Sequence, residues 1–359
     1  MKIRQAQLPK GWEIKTIGDV CVSASSNVSQ NKLADDEGDY QIFGASGLIK
    51  KVSFYHRDKP YLSIVKDGSG VGRVTKMDAY TSVIGTLQYI LPKENIDLDY
   101  LNYSLMSVDF KKYVAGAAIP HIYFKDYKNE PFLWMPLSEQ QRIVSILDEC
   151  FAAIDKAKEN AKVCLSLSKA LFESYLQGVF NKKGEGWVEK RFDEVCVLQR
   201  GFDLPTHSRF EGDYPLVSSN GITDRINEWK IKAPGVVTGR SGTIGNVHFI
   251  EEDFWPLNTA LYIKDFHGNY ERCIYYFLLQ FDLGKYSSGA GVPTLNRNNV
   301  HNVKIWFPKS IEEQQTIVLQ LDALRAETQK LEAIYQTKID NLEELKKSIL
   351  QKAFNGELK

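Results

Sequence analysis

The sequence contains no Pro-Pro pair, no GxxxxGK[ST] loop, no HExxH and no CxxC. The first absence removes the Asn/Asp-Pro-Pro-aromatic loop with which a base-amino methyltransferase would hold a flipped base. The second removes the phosphate cradle of a P-loop ATPase. The other two leave no ligand spacing for zinc, and His56, His121, His207, His248, His267 and His301 are scattered along the chain. Cys21, Cys150, Cys164, Cys196 and Cys273 make an odd set, which speaks against a disulfide framework and for a reducing cytosol. Long apolar runs are missing, so no segment is expected to span a bilayer, and MKIRQAQLPKGW lacks the pattern of a signal peptide; a cytoplasmic location is expected. The 45 basic residues balance 45 acidic ones, so no global basic field announces a polyanion, although a local patch is enough to hold phosphates.

Two short patterns mimic catalytic motifs. Gly68-Ser69-Gly70-Val71-Gly72 is glycine-rich, but a strand-like RVT follows it where a cofactor loop would open a helix. Asp109-Phe110-Lys111 and Glu228-Trp229-Lys230 fit the acidic-x-Lys part of a nuclease core, yet the first lies within an amphipathic segment. No metal site and no catalytic residue is assigned.

What the chain does have is itself, twice. GWEIKTIGDVC (Gly11–Cys21) returns as GWVEKRFDEVC (Gly186–Cys196), 175 residues later. LWMPLSEQQRIVSILD (Leu133–Asp148) returns as IWFPKSIEEQQTIVLQLD (Ile305–Asp322). A repeat of that length is domain-sized rather than a solenoid unit. Each copy reads as a globular part, roughly 1–136 and 182–308, followed by a long helix. VGRVT (71–75), LQYIL (87–91), IGNVHFI (244–250) and ALYI (260–263) read as strands, and 98–114 and 271–286 as amphipathic helices. The mixture predicts an α/β or α+β fold. Within it YQIFGASGL faces YPLVSSNGI, SIVKDGSGVGRV faces VVTGRSGTIGNV, and GAAIPHI faces GAGVPTL.

The long helices carry capping-box patterns at Ser138/Gln141 and Ser310/Glu313 and glycines placed to end them at Gly178 and Gly356. Their lengths come to about 58 and about 67 Å at the α-helical rise. A 4,3 spacing picks out Ile143, Leu147, Ile154 and Leu171 in the first, and Leu321, Leu324, Leu331, Leu342, Leu345 and Ile349 in the second. These seams need burial, and a pseudo-twofold repeat makes an antiparallel coiled-coil pair the simplest partner arrangement, with the globular parts at opposite ends.

The remaining chemistry is binding. The acid-free stretch Phe43–Arg57 carries Lys50 and Lys51 among aromatics. Lys66, Ser69 and Arg73 flank the first glycine turn, and Thr238, Arg240, Ser241 and Asn246 flank the second. Such loops suit close approach to phosphates and hydrogen bonding to base edges.

LPKGW (Leu8–Trp12) with its Gly186–Trp187 echo, PLSEQQRIVSILD (136–148), SILQKAFNGEL (348–358) and its looser first copy ALFESYLQGVF (170–180) together resemble the specificity subunit of Type I restriction–modification systems, over essentially the whole chain. The resemblance implies target recognition domains at 1–137 and 181–309, with spacer helices at 138–180 and 310–359. Each domain would read one half of a bipartite, asymmetric site on double-stranded DNA. The helices would fix the spacing and dock two methyltransferase subunits, and restriction/motor subunits would complete the complex. S-adenosylmethionine, ATP and magnesium would belong to those partners, so the chain would be no enzyme by itself. Two other readings stay open from the residues: a coiled-coil scaffold presenting two protein-binding modules, and a piece of a fused restriction–methylation enzyme. The MKIR start and the ending after Gly356 favour a separate subunit.

Overall fold

The computed structural model describes residues 8–116, 118–181, 185–289 and 293–357. The MKIR start, Leu358, and Ala117, Ala290, Gly291 and Val292 of the matched GAAIPHI and GAGVPTL segments lie outside the described residues. The chain divides into two units, Met1–Ala161 with Thr337–Lys359, and Lys162–Gln336. Each unit therefore owns one globular module and a stretch of both long helices.

In the first unit a four-stranded sheet runs in the order Cys21–Ser25, Leu87–Pro92, Tyr61–Val65, Val74–Met77. The central strand Tyr61–Val65 is buried throughout, as its YLSIV sequence suits. A three-stranded sheet follows the order Gly47–Val52, Tyr40–Gly44, Ser82–Val83, and a two-stranded ribbon pairs Glu13–Thr16 with Pro131–Trp134. In the second unit the same three sheets recur in the same order. They are Val197–Arg200, Ala260–Asp265, Gly235–Gly239, Val247–Ile250; then Gly221–Ile226, Glu211–Ser218, Trp255–Pro256; then Trp187–Arg191 with Lys304–Pro308. The repeat is thus a repeat of topology, in a mixed α/β fold.

Some elements differ from expectation. The strand expected at 71–75 is Val74–Met77, and that at 244–250 is Val247–Ile250, because the positive-φ glycines Gly72 and Gly245 keep the preceding residues in a loop. The helix expected over 98–114 stops at Met106 and resumes as a 3-10 turn at Phe110–Tyr113, and that over 271–286 stops at Gln280 before Leu283–Tyr286. In the first case the Ser107 hydroxyl bonds back to the Ser104 carbonyl, a local bond that competes with the helix ladder.

The long helices are Leu137–Asn181, 45 residues, and Ile311–Phe354, 44 residues. Ser310 caps the second as expected, its Oγ accepting the Glu313 N–H at 3.1 Å. Ser138 does not cap the first: that helix already begins at Leu137, with the Pro136 carbonyl accepting from Glu139 and Gln140. Gly178 does not end it either and sits inside it. Gly356 ends the second in a Schellman arrangement at φ +79°, with Glu357 N–H on the Lys352 carbonyl and Gly356 N–H on that of Ala353. Phe354 at that end corresponds to Phe180, not to a residue one turn earlier, and both are buried.

Each unit packs its two helix stretches antiparallel. In the first, Asp155 meets Lys346 at 2.9 Å and Lys158 meets Glu343. In the second, the Tyr175 hydroxyl donates to Gln320 at 3.2 Å, and Arg325 lies over the Phe172 ring. Ile143, Leu147, Ile154 and Leu321 are buried, and Leu342 and Ile349 pack on the first unit's core; Leu324 is half-buried. Leu171, Leu331 and Leu345 correct the expected seam, since all three are exposed. A 4,3 row drifts about 20° per heptad on an ideal α-helix. From Ser168 the inward row accordingly moves by one residue, to Phe172, Leu176 and Phe180, and in the second helix Glu332 and Lys346 replace Leu331 and Leu345.

The module and the helices share one core in each unit. Tyr100, Phe132, Ile143, Leu147, Leu350 and Phe354 belong to the first, and Phe180, Phe192, Phe277, Phe307, Val318 and Leu321 to the second. A buried glutamine from the SEQQ/EEQQ motif pins each junction. Gln140 donates to the Asn95 and Met135 carbonyls and accepts the Asp97 N–H. Gln314 donates to Asn269 Oδ1 and the Pro308 carbonyl and accepts the Tyr270 N–H. Every polar capacity of the amide that points into the junction is thus used, which rigidifies rather than merely fills it.

Candidate nucleic-acid interface

The glycine turns are built to one plan. In the first unit the Lys66 and Asp67 N–H groups donate to the Thr86 carbonyl at 3.0 and 3.3 Å, and the Lys66 carbonyl accepts from Ile122 at 2.9 Å. In the second the Arg240 and Ser241 N–H groups donate to the Thr259 carbonyl at 2.9 and 3.3 Å, and the Arg240 carbonyl accepts from Leu295 at 2.8 Å. Lys66 and Arg240 therefore occupy the same place, although the sequence alignment sets Lys66 against Gly239. The first loop is one residue longer before the chains fall back into step at Arg73 and Asn246, whose carbonyls accept from Val65 and Gly239. In each unit these main-chain bonds anchor the backbone of one cationic residue at the mouth of the central strand. Beneath it the hydroxyls of Thr86 and Thr259 are buried without hydrogen-bond partners among the described residues.

A second bond ties each loop to a hairpin turn. Arg73 donates to the Ala45 carbonyl, and the Thr243 hydroxyl donates to the Ser219 carbonyl at 2.8 Å; Ala45 and Ser219 are matched positions. Loop, hairpin turn and the 119–122 or 294–295 segment form one composite edge in each unit.

The other expected contact residues divide. Ser69 and Asn246 are exposed, and Ser241 is half-buried at the turn. Lys51 is exposed on its hairpin strand, whereas Lys50 folds inward, its ammonium donating to the Leu33 carbonyl at 2.9 Å and the Ala34 carbonyl at 3.3 Å. Thr238 is a correction: at 1% exposure it lies within the sheet, because the strand continues to Gly239 and places it in the buried run. Lys66 leans on Asp67 at 3.5 Å. The Arg240 guanidinium donates to the Asn258 carbonyl at 3.0 Å, which holds the fork at the edge rather than leaving it to roam.

Two further arginines border the second edge. Arg200 ends the strand paired with Ala260–Asp265 and bonds Asp203, and Arg297 opens the short helix Arg297–His301 and donates to Gln199. Their counterparts in the first unit are Ser25 and Phe124. The fold reveals them, Arg200 through its strand pairing and Arg297 through its bond to Gln199, since neither flanks one of the two matched glycine turns in sequence. The hairpins differ as well: the second carries Asp224 and Arg225 where the first has Lys50 and Lys51, and Arg225 is locked bidentately on Glu252 at 2.8 and 2.9 Å. Beneath the second hairpin, burial holds the His248 imidazole below its ordinary pKa, so it stays neutral near pH 7.

The edges offer cations, amides and hydroxyls, groups that suit phosphates and base edges, with Asp67 and Asp203 each paired to a neighbouring cation. No group of three metal-ligating side chains and no helix long and apolar enough to cross a membrane occurs among the described residues.

The family described as Type I restriction modification DNA specificity domain matches residues 9–163 and 184–347. The sequence is 21% identical to the Type I restriction enzyme EcoDI specificity subunit of Escherichia coli, over 98% of this chain and 90% of that protein. The fold is similar to the HsdS subunit from Thermoanaerobacter tengcongensis, with a TM-score of 0.61, 18% identity and 100% of both chains covered. It is also similar to a chain solved for complex assembly and conformational transition of the type I R-M system, with a TM-score of 0.78, 18% identity, and 98% of this chain and 100% of that one covered.

Proposed function

The chain belongs to the Type I restriction modification DNA specificity family, and from that premise we propose that each module reads one half of a bipartite, asymmetric site on double-stranded DNA. The carrying observation is the composite edge: one scaffold, with Lys66 and Arg240 anchored alike, bordered by unlike side chains. Like scaffolds with unlike readers give unlike half-sites.

The subunit works in a complex. In this reading two methyltransferase subunits dock on the helices. Leu137 and Ile311, and Leu171 and Leu345, are repeat-related pairs whose members are all exposed. Exposed aliphatics repeated on both helices suit two copies of one partner. Restriction/motor subunits join the same assembly. S-adenosylmethionine, ATP and magnesium serve those partners, and the chain acts in the cytoplasm as a reader without catalysis of its own. The recognition domains are 1–137 and 181–309, and 138–180 and 310–359 set the spacer. Among individual contacts, Lys51, Lys66, Ser69, Arg73, Arg240, Ser241 and Asn246 remain the proposed DNA-facing set, with Arg200 and Arg297 added.

The test is a gel shift of the chain with its methyltransferase on a random-duplex library. Sequence-specific retention of a bipartite motif is expected, and Arg240→Ala should relax one position in one half by roughly 1–3 kcal/mol, the worth of a bidentate base contact. Absence of duplex retention would favour the protein-binding scaffold, and retention without sequence preference would contradict the reading of two sequence-specific modules. Inserting four residues between Ala157 and Ala161 should lengthen the spacer and leave both halves intact; an unchanged spacer contradicts the ruler role.

A further inference from the structure

The tip of each hairpin carries an exposed aliphatic side chain that no core requires. In the first unit the strand Tyr40–Gly44 turns through Gly47 at φ +113° into Leu48, which is 54% exposed. In the second, Glu211–Ser218 turns through Gly221 at φ +95° into Ile222, which is 53% exposed. A lone exposed aliphatic is ordinary. Here the two occupy one structural position in units whose hairpins otherwise diverge, as Lys50-Lys51 against Asp224-Arg225 shows. The register agrees too, since each hairpin slips at the same point, between Ile42 and Phe43 and between Leu216 and Val217. Such a bulge bends the strand and re-aims its end.

The tip is also continuous with the composite edge. The turn residues Ala45 and Ser219 accept the side-chain bonds from Arg73 and Thr243 that join hairpin to glycine loop. An aliphatic group therefore stands on the hairpin turn to which each glycine loop is bonded. A two-stranded ribbon fits the major groove of B-DNA, about 12 Å wide, and not the minor groove at about 6 Å. The apolar feature displayed there is the 5-methyl group of thymine.

We propose that Leu48 and Ile222 each meet a thymine methyl in the major groove, one in each half of the recognised site. The inference rests on the reading of the modules as DNA readers. It requires every half-site to contain an A·T pair, and it makes the two tips specificity-determining rather than merely adjacent to DNA.

Deoxyuridine removes the methyl and nothing else. Gel shifts use the full chain in complex with its methyltransferase, on the recognised duplex with each thymine replaced in turn. One thymine per half-site should weaken binding by about fourfold when replaced, the value of one buried methyl or methylene group. Leu48→Ala should abolish the deoxyuridine effect in one half-site only, and Ile222→Ala in the other only. Both tips are solvent-exposed, so the truncations leave the core intact; Leu48→Val and Ile222→Val, which retain a branched contact, should keep the effect. A half-site without thymine, no deoxyuridine effect in the unaltered chain, or an undiminished effect in both alanine variants overturns the assignment. Failure of the unaltered complex to select any sequence instead removes the underlying reading, so the two failures are distinguishable.

Discussion

The two units solve the same helix contact with the partners exchanged. In the first, Phe151 of the first long helix lies under Lys346 of the second at 4.9 Å. In the second, the repeat-related positions hold Arg325 and Phe172, and the guanidinium lies over the ring at 5.2 Å. Aromatic and cation have changed helices while the contact survives. Lys158 and Glu343 form an ion pair in the first unit; their counterparts Glu332 and Lys169 line a groove of about 350 Å³ in the second. Helix packing tolerates exchange because only the pair must match, not either member. The outer layers behave differently. The first unit gathers Leu33, Ile42, Val52, Tyr61, Val65, Met77 and their neighbours into one cluster, whereas the second has two smaller ones around Val217 and Leu216. Conservation of contact near the helices and divergence away from them is what separates frame from reader.

Breaking the shared frame should give the largest effects. Phe180→Ala and Phe354→Ala each empty a buried ring position of one unit's core, and each should cost about 3–5 kcal/mol in denaturant unfolding. A large effect at one and none at the other would break the equivalence of the two helix ends. Gln140→Ala and Gln314→Ala come next. Each strands buried backbone groups, and a loss of about 1–3 kcal/mol per unsatisfied group is expected; Gln→Met, which keeps volume without the bonds, should rescue little. The exchanged pair gives a sharper test at smaller scale. Phe151→Arg, at a buried core position, should cost about 3–5 kcal/mol singly and Lys346→Phe far less, while the double variant, which installs the second unit's solution in the first, should recover about 0.5–1 kcal/mol of the summed loss, the worth of the cation–π pair. Additive losses would mean the exchange is coincidental.

Acid distinguishes the units more subtly. Burial depresses His248 and His301 in the second unit and His56 in the first. For a histidine held neutral in the fold, the unfolded chain binds more protons once pH falls below the unfolded value of about 6.5. Stability from these groups is therefore present above that pH and lost below it. The second unit, where His248 supports the hairpin turn and His301 accepts the Leu198 N–H at 3.1 Å, should soften first on acidification. Hydrogen exchange across pH 7 to 5 would show this, and His248→Gln should flatten the response.

Much of the frame was legible from residues. The internal repeat, the mixed fold, the Ser310 cap and the glycine stop at Gly356 all follow from local patterns that tertiary context leaves alone. The misreadings share one physical origin, which is that period and phase are different quantities. The 4,3 row named Leu171, Leu331 and Leu345 because heptad spacing fixes a period, while burial follows the helix's actual twist. The endings Gly178 and Gly356 were matched by composition, one turn away from the true correspondence of Phe180 with Phe354. At the interface, Lys66 and Arg240 were both picked out but not as equivalents, since a one-residue difference in loop length leaves no mark between glycines. Thr238 was misjudged because a hydroxyl in a glycine-bounded run reads as loop until strand pairing buries it. Arg200 and Arg297 needed the fold to bring them to the edge.

Long-read methylome sequencing tests the central claim most directly, in a host carrying this chain and its methyltransferase and in the same host with the second unit's loop, residues 239–246, replaced. A single bipartite, asymmetric methylated motif is expected with the unaltered chain, and the replaced loop should change one half of it while the other half stays as it was. A symmetric or continuous motif, or a loop replacement that alters both halves together, would contradict a common frame holding two independent readers.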